Sequence, residues 1–169
     1  MATSISRRQF LKSAGLAGGL ALSSAIIAAC GGAAAPAATA ASASGAAGQA
    51  VTLSIGSKGE ELLFDKDTLE APAGSKITLN FKNNSTALTH NWVLIKPGAN
   101  DTVGNDGMAA GEANNYIKPN DPNVIAHTNL VKPGQTATIT FDAPPAGQYP
   151  YICTFPGHHV LMKGTLTIK

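Results

Sequence analysis

Arginine is absent from the chain after Arg8, and cysteine occurs only twice, at Cys30 and Cys153. Charged residues make up 13% of the 169 positions and aromatics 5%. Each shortage excludes something. From position 51 onward nine lysines face ten acids, a formal charge of −1, with no basic stripe. A domain without arginine and without a basic stripe is a poor candidate for gripping a phosphate backbone, so no nucleic acid is expected as a partner. Two cysteines are too few for a disulfide framework. A membrane-spanning helix needs about 20 predominantly apolar residues, and the weakly apolar run Gly15–Ala29 has 15. The length suits one domain with enough chain to bury a core.

What is present divides into three stretches. Ser6-Arg7-Arg8-Gln9-Phe10-Leu11-Lys12 resembles the twin-arginine export signal at every position, and the run behind it reads as a signal-peptide h-region. It ends in Ile27-Ala28-Ala29-Cys30, which resembles a bacterial lipobox with Cys30 as the lipidated first residue of the mature protein. The competing reading is cleavage after a small-residue site with loss of Cys30. Either way residues 1–29 are an export signal. The protein is expected at the outer face of the cytoplasmic membrane or in the periplasm, held by a lipid anchor. Residues 30–50 are expected to be a tether: positions 31–50 hold 11 Ala, 4 Gly, 2 Ser and no charge, a composition that buries nothing.

From 51 to 169 the pattern becomes that of strands. Val51–Ile55, Ile77–Phe81, Ala137–Phe141 and Leu166–Ile168 alternate apolar with polar, while His90–Ile95 and Tyr149–Cys153 are continuous runs of strand formers. Pro72-Ala73-Gly74, Lys96-Pro97-Gly98, Lys132-Pro133-Gly134 and Pro144-Pro145-Ala146-Gly147 punctuate them as turns. This spacing predicts an all-β domain, an antiparallel sandwich or barrel. The Gly-, Asn- and Asp-rich stretch 100–123 reads as a long connection with one short helix packed outside the sandwich. Its apolar islands are Met108-Ala109-Ala110 and Tyr116-Ile117.

The chemistry gathers near the C-terminus. Cys153, His158 and Met162 fall within ten residues on a loop between two strands, and His90 stands far upstream at the start of another. Two imidazoles and a thiolate in a plane, with a weak axial thioether, make a blue-copper electron-transfer site. Thiolate and thioether favour Cu(I), and imidazole suits both oxidation states. Zinc is disfavoured because it rarely takes a thioether.

These residues carry a resemblance. Cys153-Thr154-Phe155-Pro156-Gly157-His158 followed by Met162-Lys163-Gly164-Thr165-Leu166-Thr167 resembles the azurin ligand loop, and Thr89-His90-Asn91-Trp92-Val93-Leu94 the upstream ligand strand. Val124–Thr128 is similar to another azurin segment. The chain is identified as a member of the cupredoxins, similar to azurins and especially to auracyanins, over most of 51–169. The resemblance implies a Greek-key β-sandwich of about eight strands holding one copper ion, with no catalysis. Cys153, His90 and His158 would form the trigonal plane and Met162 the axial ligand. Asn91 would stabilise the ligand loop, and the backbone N–H groups of Asn91 and Phe155 would donate to the thiolate. His158 would be the electron port, within an apolar docking patch that includes Leu88, Pro156 and Leu161. The protein is expected to be a monomer. Its partners would be exocytoplasmic redox proteins: a quinol-oxidising complex on one side, a reaction centre or terminal oxidase on the other. Two departures stand out. Thr89 replaces the azurin glycine whose carbonyl approaches copper, and the azurin disulfide has no counterpart.

Each choice has a plainer competitor. Cys153 could be a buried structural thiol, and His159 competes with His158. His127 reads as sandwich surface, Met108 as an apolar contact near the copper end, and Trp92 as core. Asn83 and Asn84 head overlapping Asn-x-Ser/Thr sequons that, behind a bacterial leader, read as chance. A copper-delivery protein would want exposed, Met-rich ligands, whereas this domain has only Met108 and Met162. A copper enzyme would need a second, His-rich centre, and after His90 and His158 only His127 and His159 remain.

Overall fold

The structure, a computed structural model, describes residues 48–169. The expected signal peptide, Cys30 and nearly all of the expected tether lie outside the described residues. Among the described residues no helix is long and apolar enough to cross a membrane.

The alternation in Lys76–Lys82 (β3) shows how the sandwich forms. Ile77, Leu79 and Phe81 are fully buried while Lys76 and Lys82 point to water. β3 lies between Ala50–Gly56 (β1) and Thr136–Asp142 (β6) in a three-stranded sheet. Its register sets Ile77 beside Val51 and Phe141, and Leu79 beside Leu53 and Ile139, so one face is apolar throughout. That face packs on a five-stranded sheet whose order is Thr68–Ala71 (β2), Lys163–Ile168 (β8), Gly147–Ile152 (β7), Val93–Ile95 (β4) and Val124–His127 (β5). Trp92, Leu94, Tyr151 and Leu166 fill the space between the sheets. The ring centroid of Trp92 stands 5.7 Å from that of Tyr151 and 6.0 Å from that of Phe141. Tyr151 keeps its hydroxyl satisfied by donating to the carbonyl of Lys66.

β4 is buried on both faces, which is why its sequence is a continuous apolar run. Val93 and Ile95 face away from the main core and meet Ile152, Ala99, Val103 and Ile117 in a second cluster. The helix Asn100–Ala110 (α1) covers this cluster, as the short helix expected in the long connection. Its docking positions are Val103, Gly104 and Gly107. Two of them lack a side chain, so the helix backbone itself approaches the layer below. A Cβ on Gly107 would lie 2.2 Å from the carbonyl oxygen of Tyr116, and one on Gly104 would lie 2.4 Å from the ring of His159. Met108, read from the sequence as an apolar contact near the copper end, lies on this helix and is 42% exposed.

Two expectations need correction. The sandwich is not wholly antiparallel: β1 pairs with β3, and β2 with β8, in parallel. β2 belongs to the other sheet, so β3 returns beside β1 after one excursion and runs in the same direction. Period-two patterning fixes which face a strand buries, and says nothing about direction. The strand β2, with only Leu69 and Ala71 inward, is too short to register as a pattern. β1 also begins one residue earlier than expected, at Ala50.

Candidate metal centre

Backbone hydrogen bonds fix each functional side chain. His90 precedes β4 and forms a bridge with Val131: its N–H donates to Val131 O at 3.2 Å and its C=O accepts from Val131 N–H at 2.7 Å. Cys153 follows directly on β7 and donates its N–H to Met162 O at 3.0 Å, across the mouth of the β7–β8 hairpin. The intervening loop turns at Gly157, whose φ of +81° is cheap only for glycine. It then makes a single 3₁₀ turn, His158–Val160. Met162 N–H donates back to His158 O at 2.8 Å, and His158 N–H to Phe155 O at 2.9 Å.

This scaffold brings three donor atoms together. Cys153 Sγ lies 3.8 Å from His90 Nδ1 and 3.6 Å from His158 Nδ1. All three donors lie within 4.8 Å of one another, and all three residues are buried. Three ligands held about 2.0–2.3 Å from one first-row ion, at trigonal angles, stand about 3.5–4 Å apart. The Sγ–Nδ1 separations fit that arrangement. Met162 is fully buried in the same core cluster as Cys153. A thiol, two imidazoles and a thioether form a donor set that suits copper.

The electrostatics of the metal-free site are those of neutral groups kept from water. Burial pushes the Cys153 thiol up to about 12, against the pull of the backbone N–H groups of Asn91 and Phe155. Burial, reinforced by His158, pushes His90 down to about 4, with Glu60 opposing, and burial also lowers His158. A metal cation taking the place of the thiol proton removes the desolvation cost of the thiolate, so binding releases a proton.

The depressed imidazoles imply a pH dependence. The unfolded chain protonates His90 near 6.5, the native chain only near 4, so the unfolded state binds more protons across that window. The contribution is present in full above the unfolded value and is lost as pH falls toward the folded one. Urea denaturation of the metal-free chain at pH 7, 5.5 and 4 should show a loss on the order of 3 kcal/mol from His90 alone. A midpoint that does not fall between pH 7 and 4 would contradict it.

Around this cluster Asn91 uses its whole side chain. Its Oδ1 accepts from Thr154 N–H at 2.8 Å, and its Nδ2 donates to Thr154 Oγ1 at 2.8 Å and to Asn115 O at 3.0 Å. Phe155 packs on the His158 ring at a centroid distance of 4.8 Å. At the surface His158 is 6% exposed, Leu161 and Val160 are each 57% exposed, Pro156 is exposed, and Leu88 and Thr89 are half-buried. His159 is turned away from the cluster, its ring against Gly104. His127 stands exposed on β5, with Nδ1 3.2 Å from Thr128 O.

Sequence reasoning missed Asn115 and Thr128. Asn115 sits at φ 56°, a left-handed conformation that asparagine tolerates. It accepts from Leu130 N–H through Oδ1 while offering its carbonyl to Asn91. Thr128 Oγ1 accepts from Trp92 N–H, next to the ligand strand. Thr128 closes the azurin-like segment Val124–Thr128, but nothing in that segment marks its hydroxyl, and Asn115 carries no local signal at all.

Comparison with known proteins agrees with this geometry. The family model described as copper binding proteins, plastocyanin/azurin family, matches residues 51–169. Auracyanin-A of Chloroflexus aurantiacus is 47% identical over 152 residues, covering 89% of this chain and 93% of that protein. An azurin of Pseudomonas fluorescens biotype C is 37% identical over 118 residues, covering 65% of this chain and 92% of its own length. The solved structure of auracyanin A, described as a "blue" copper protein, superposes with a TM-score of 0.69 over 72% of this chain and 100% of that one.

Proposed function

The chain belongs to the copper-binding plastocyanin/azurin family, and from that premise we propose that it is a membrane-tethered carrier of single electrons. Copper is its cofactor and would supply the Cu(I)/Cu(II) couple. Its ligands in this reading are His90, Cys153 and His158, with Met162 axial. The observation that carries the reading is the enclosure of the three close donors: His90 and Cys153 have no exposure, and of the three only His158 reaches the surface, at 6%. A centre whose donors all come from the chain and are buried can pass an electron through a ring edge.

The residues divide the work. The hairpin bond between Cys153 and Met162 and the bridge between His90 and Val131 hold the donors in one place whichever charge state is bound. That limits rearrangement on transfer. Phe155 and the buried core exclude water. Pro156, Leu161 and the half-buried Leu88 offer an apolar surface around His158 for short-lived docking of a redox partner. Lipidation at Cys30 after twin-arginine export would keep the domain at the outer face of the cytoplasmic membrane. By family resemblance, the partners there are a quinol-oxidising complex and a reaction centre or terminal oxidase.

Voltammetry of the copper-loaded chain should give one reversible one-electron wave. Cys30→Ala should move the protein from the membrane fraction to the soluble fraction with that wave unchanged. A colourless chain that binds Cu(I) tightly without a reversible wave would point instead to copper delivery.

A further inference from the structure

Asn83 heads a sequon that the electron-carrier reading leaves without a role. The side chain is fully buried, so it is closed to glycosylation, and every hydrogen-bonding position on it is used. Nδ2 donates to Leu88 O and to Val131 O, both at 2.8 Å. Oδ1 accepts from Ser57 Oγ and from Ser85 N–H, both at 3.0 Å. The two carbonyls held by Nδ2 are not arbitrary. Val131 forms both backbone bonds of the His90 bridge, and Leu88 is two residues before His90 in the chain. One amide therefore grips the backbone on both sides of the ligand.

We propose that Asn83 is a positioning residue for the metal ligand His90, setting where its imidazole stands relative to Cys153 by fixing the carbonyls of Leu88 and Val131. No other side chain of this size can do it. Aspartate lacks the two donors, leucine lacks all four functions, and serine is too short to span both carbonyls. The turn between Asn83 and Leu88 is braced from a second direction. Ser85 Oγ accepts from Leu88 N–H at 2.7 Å and donates to Glu60 at 2.7 Å, while Glu60 also accepts from Thr86 N–H at 2.6 Å. The Thr86 N–H and the Ser85 hydroxyl hold the Glu60 carboxyl below its ordinary range. The brace is thus an ionised carboxylate with fixed partners, and it leaves Asn83 little freedom to swing away from the two carbonyls.

This role of Asn83 rests on the copper-site reading, and the two can fail separately. Asn83→Ala is compared with Ile77→Val, a core change at the far end of β3. In the metal-free chain, amide hydrogen exchange at His90 and Val131 should accelerate at least tenfold in Asn83→Ala and stay unchanged in Ile77→Val. After loading with Cu(II), copper release should be about tenfold faster, the low end of what changes around a ligand produce. The thiolate-to-copper band and the midpoint potential should shift, with neither shift in the control. Should Asn83→Ala fail to fold, Ser57→Ala, which removes one anchor of Oδ1, should show the same directions at smaller size. Variants that lose thermal stability alone, with exchange, release and spectrum like the control, overturn the proposal. A wild-type chain that takes no copper defeats the electron-carrier reading, while the exchange arm still decides the role of Asn83.

Discussion

Replacing Cys153 with alanine should abolish the visible thiolate-to-copper band of the loaded chain and leave the fold standing. The two halves of that expectation have different causes. With its thiol pushed up to about 12 by burial, Cys153 in the metal-free chain is neutral at any working pH. It packs as a small apolar group among Trp92, Tyr151 and Met162. Losing one sulfur from such a place costs about 1 kcal/mol, the scale of a small deletion in a core. The backbone bond from residue 153 to Met162 O survives, since it does not involve the side chain. The metal site does not survive. His90 and His158 remain 5.1 Å apart by ring centroid, which with the Met162 thioether permits weak binding but supplies no thiolate. Copper should therefore raise the melting temperature of the wild type by much more than that of the variant, because stabilisation by a ligand scales with its affinity for the native state. Visible absorption and thermal melts with and without Cu(II) check both halves. A band that persists in the variant would remove Cys153 from the site.

The sequence discloses parts of this architecture unequally, and the reasons are physical. β3 declares itself because one face is buried and the other wet, so Ile77, Leu79 and Phe81 recur with period two. β4 shows as a strand only through its apolar run, because helix α1 covers the face that would otherwise be polar. Strand direction leaves no trace in composition, and so the two parallel pairings were unforeseen. The donor residues were legible because thiolate, imidazole and thioether are scarce in this chain, and their chemistry narrows what they can hold. Their supports were not equally legible. Asn91 was recognised through its likeness to a known motif, whereas Asn83 and Asn115 are two of many polar loop residues in the chain. What distinguishes them is the partner each meets, and those partners are far away in sequence: Val131 for Asn83 and Leu130 for Asn115. Such pairings exist only once the sandwich has closed.

Asn91→Leu should be the most damaging single change near the site that leaves every donor in place. It removes three hydrogen bonds and restores none. The Thr154 N–H and Oγ1 lose their partners in a region sealed from water, and the carbonyl of Asn115 loses one at its edge. An unsatisfied buried polar group costs about 1–3 kcal/mol, so the expected loss is about 3–5 kcal/mol. For a domain of this size that is a fall in melting temperature of roughly 10–20 °C. Thr154 is next to Cys153, so the damage reaches the metal: copper release should quicken by about 10–100-fold. Thr154→Val is the informative partner change. It removes only Oγ1 and leaves both the Thr154 N–H bond to Asn91 Oδ1 and the Asn91 bond to Asn115 intact, so about 1–2 kcal/mol is expected. If these groups act as one network, the double variant should cost less than the sum of the singles, because the leucine has already abolished the bond that valine would remove. Strict additivity in urea denaturation would mean that Asn91 and Thr154 support the ligand loop independently, and the network would have to be abandoned.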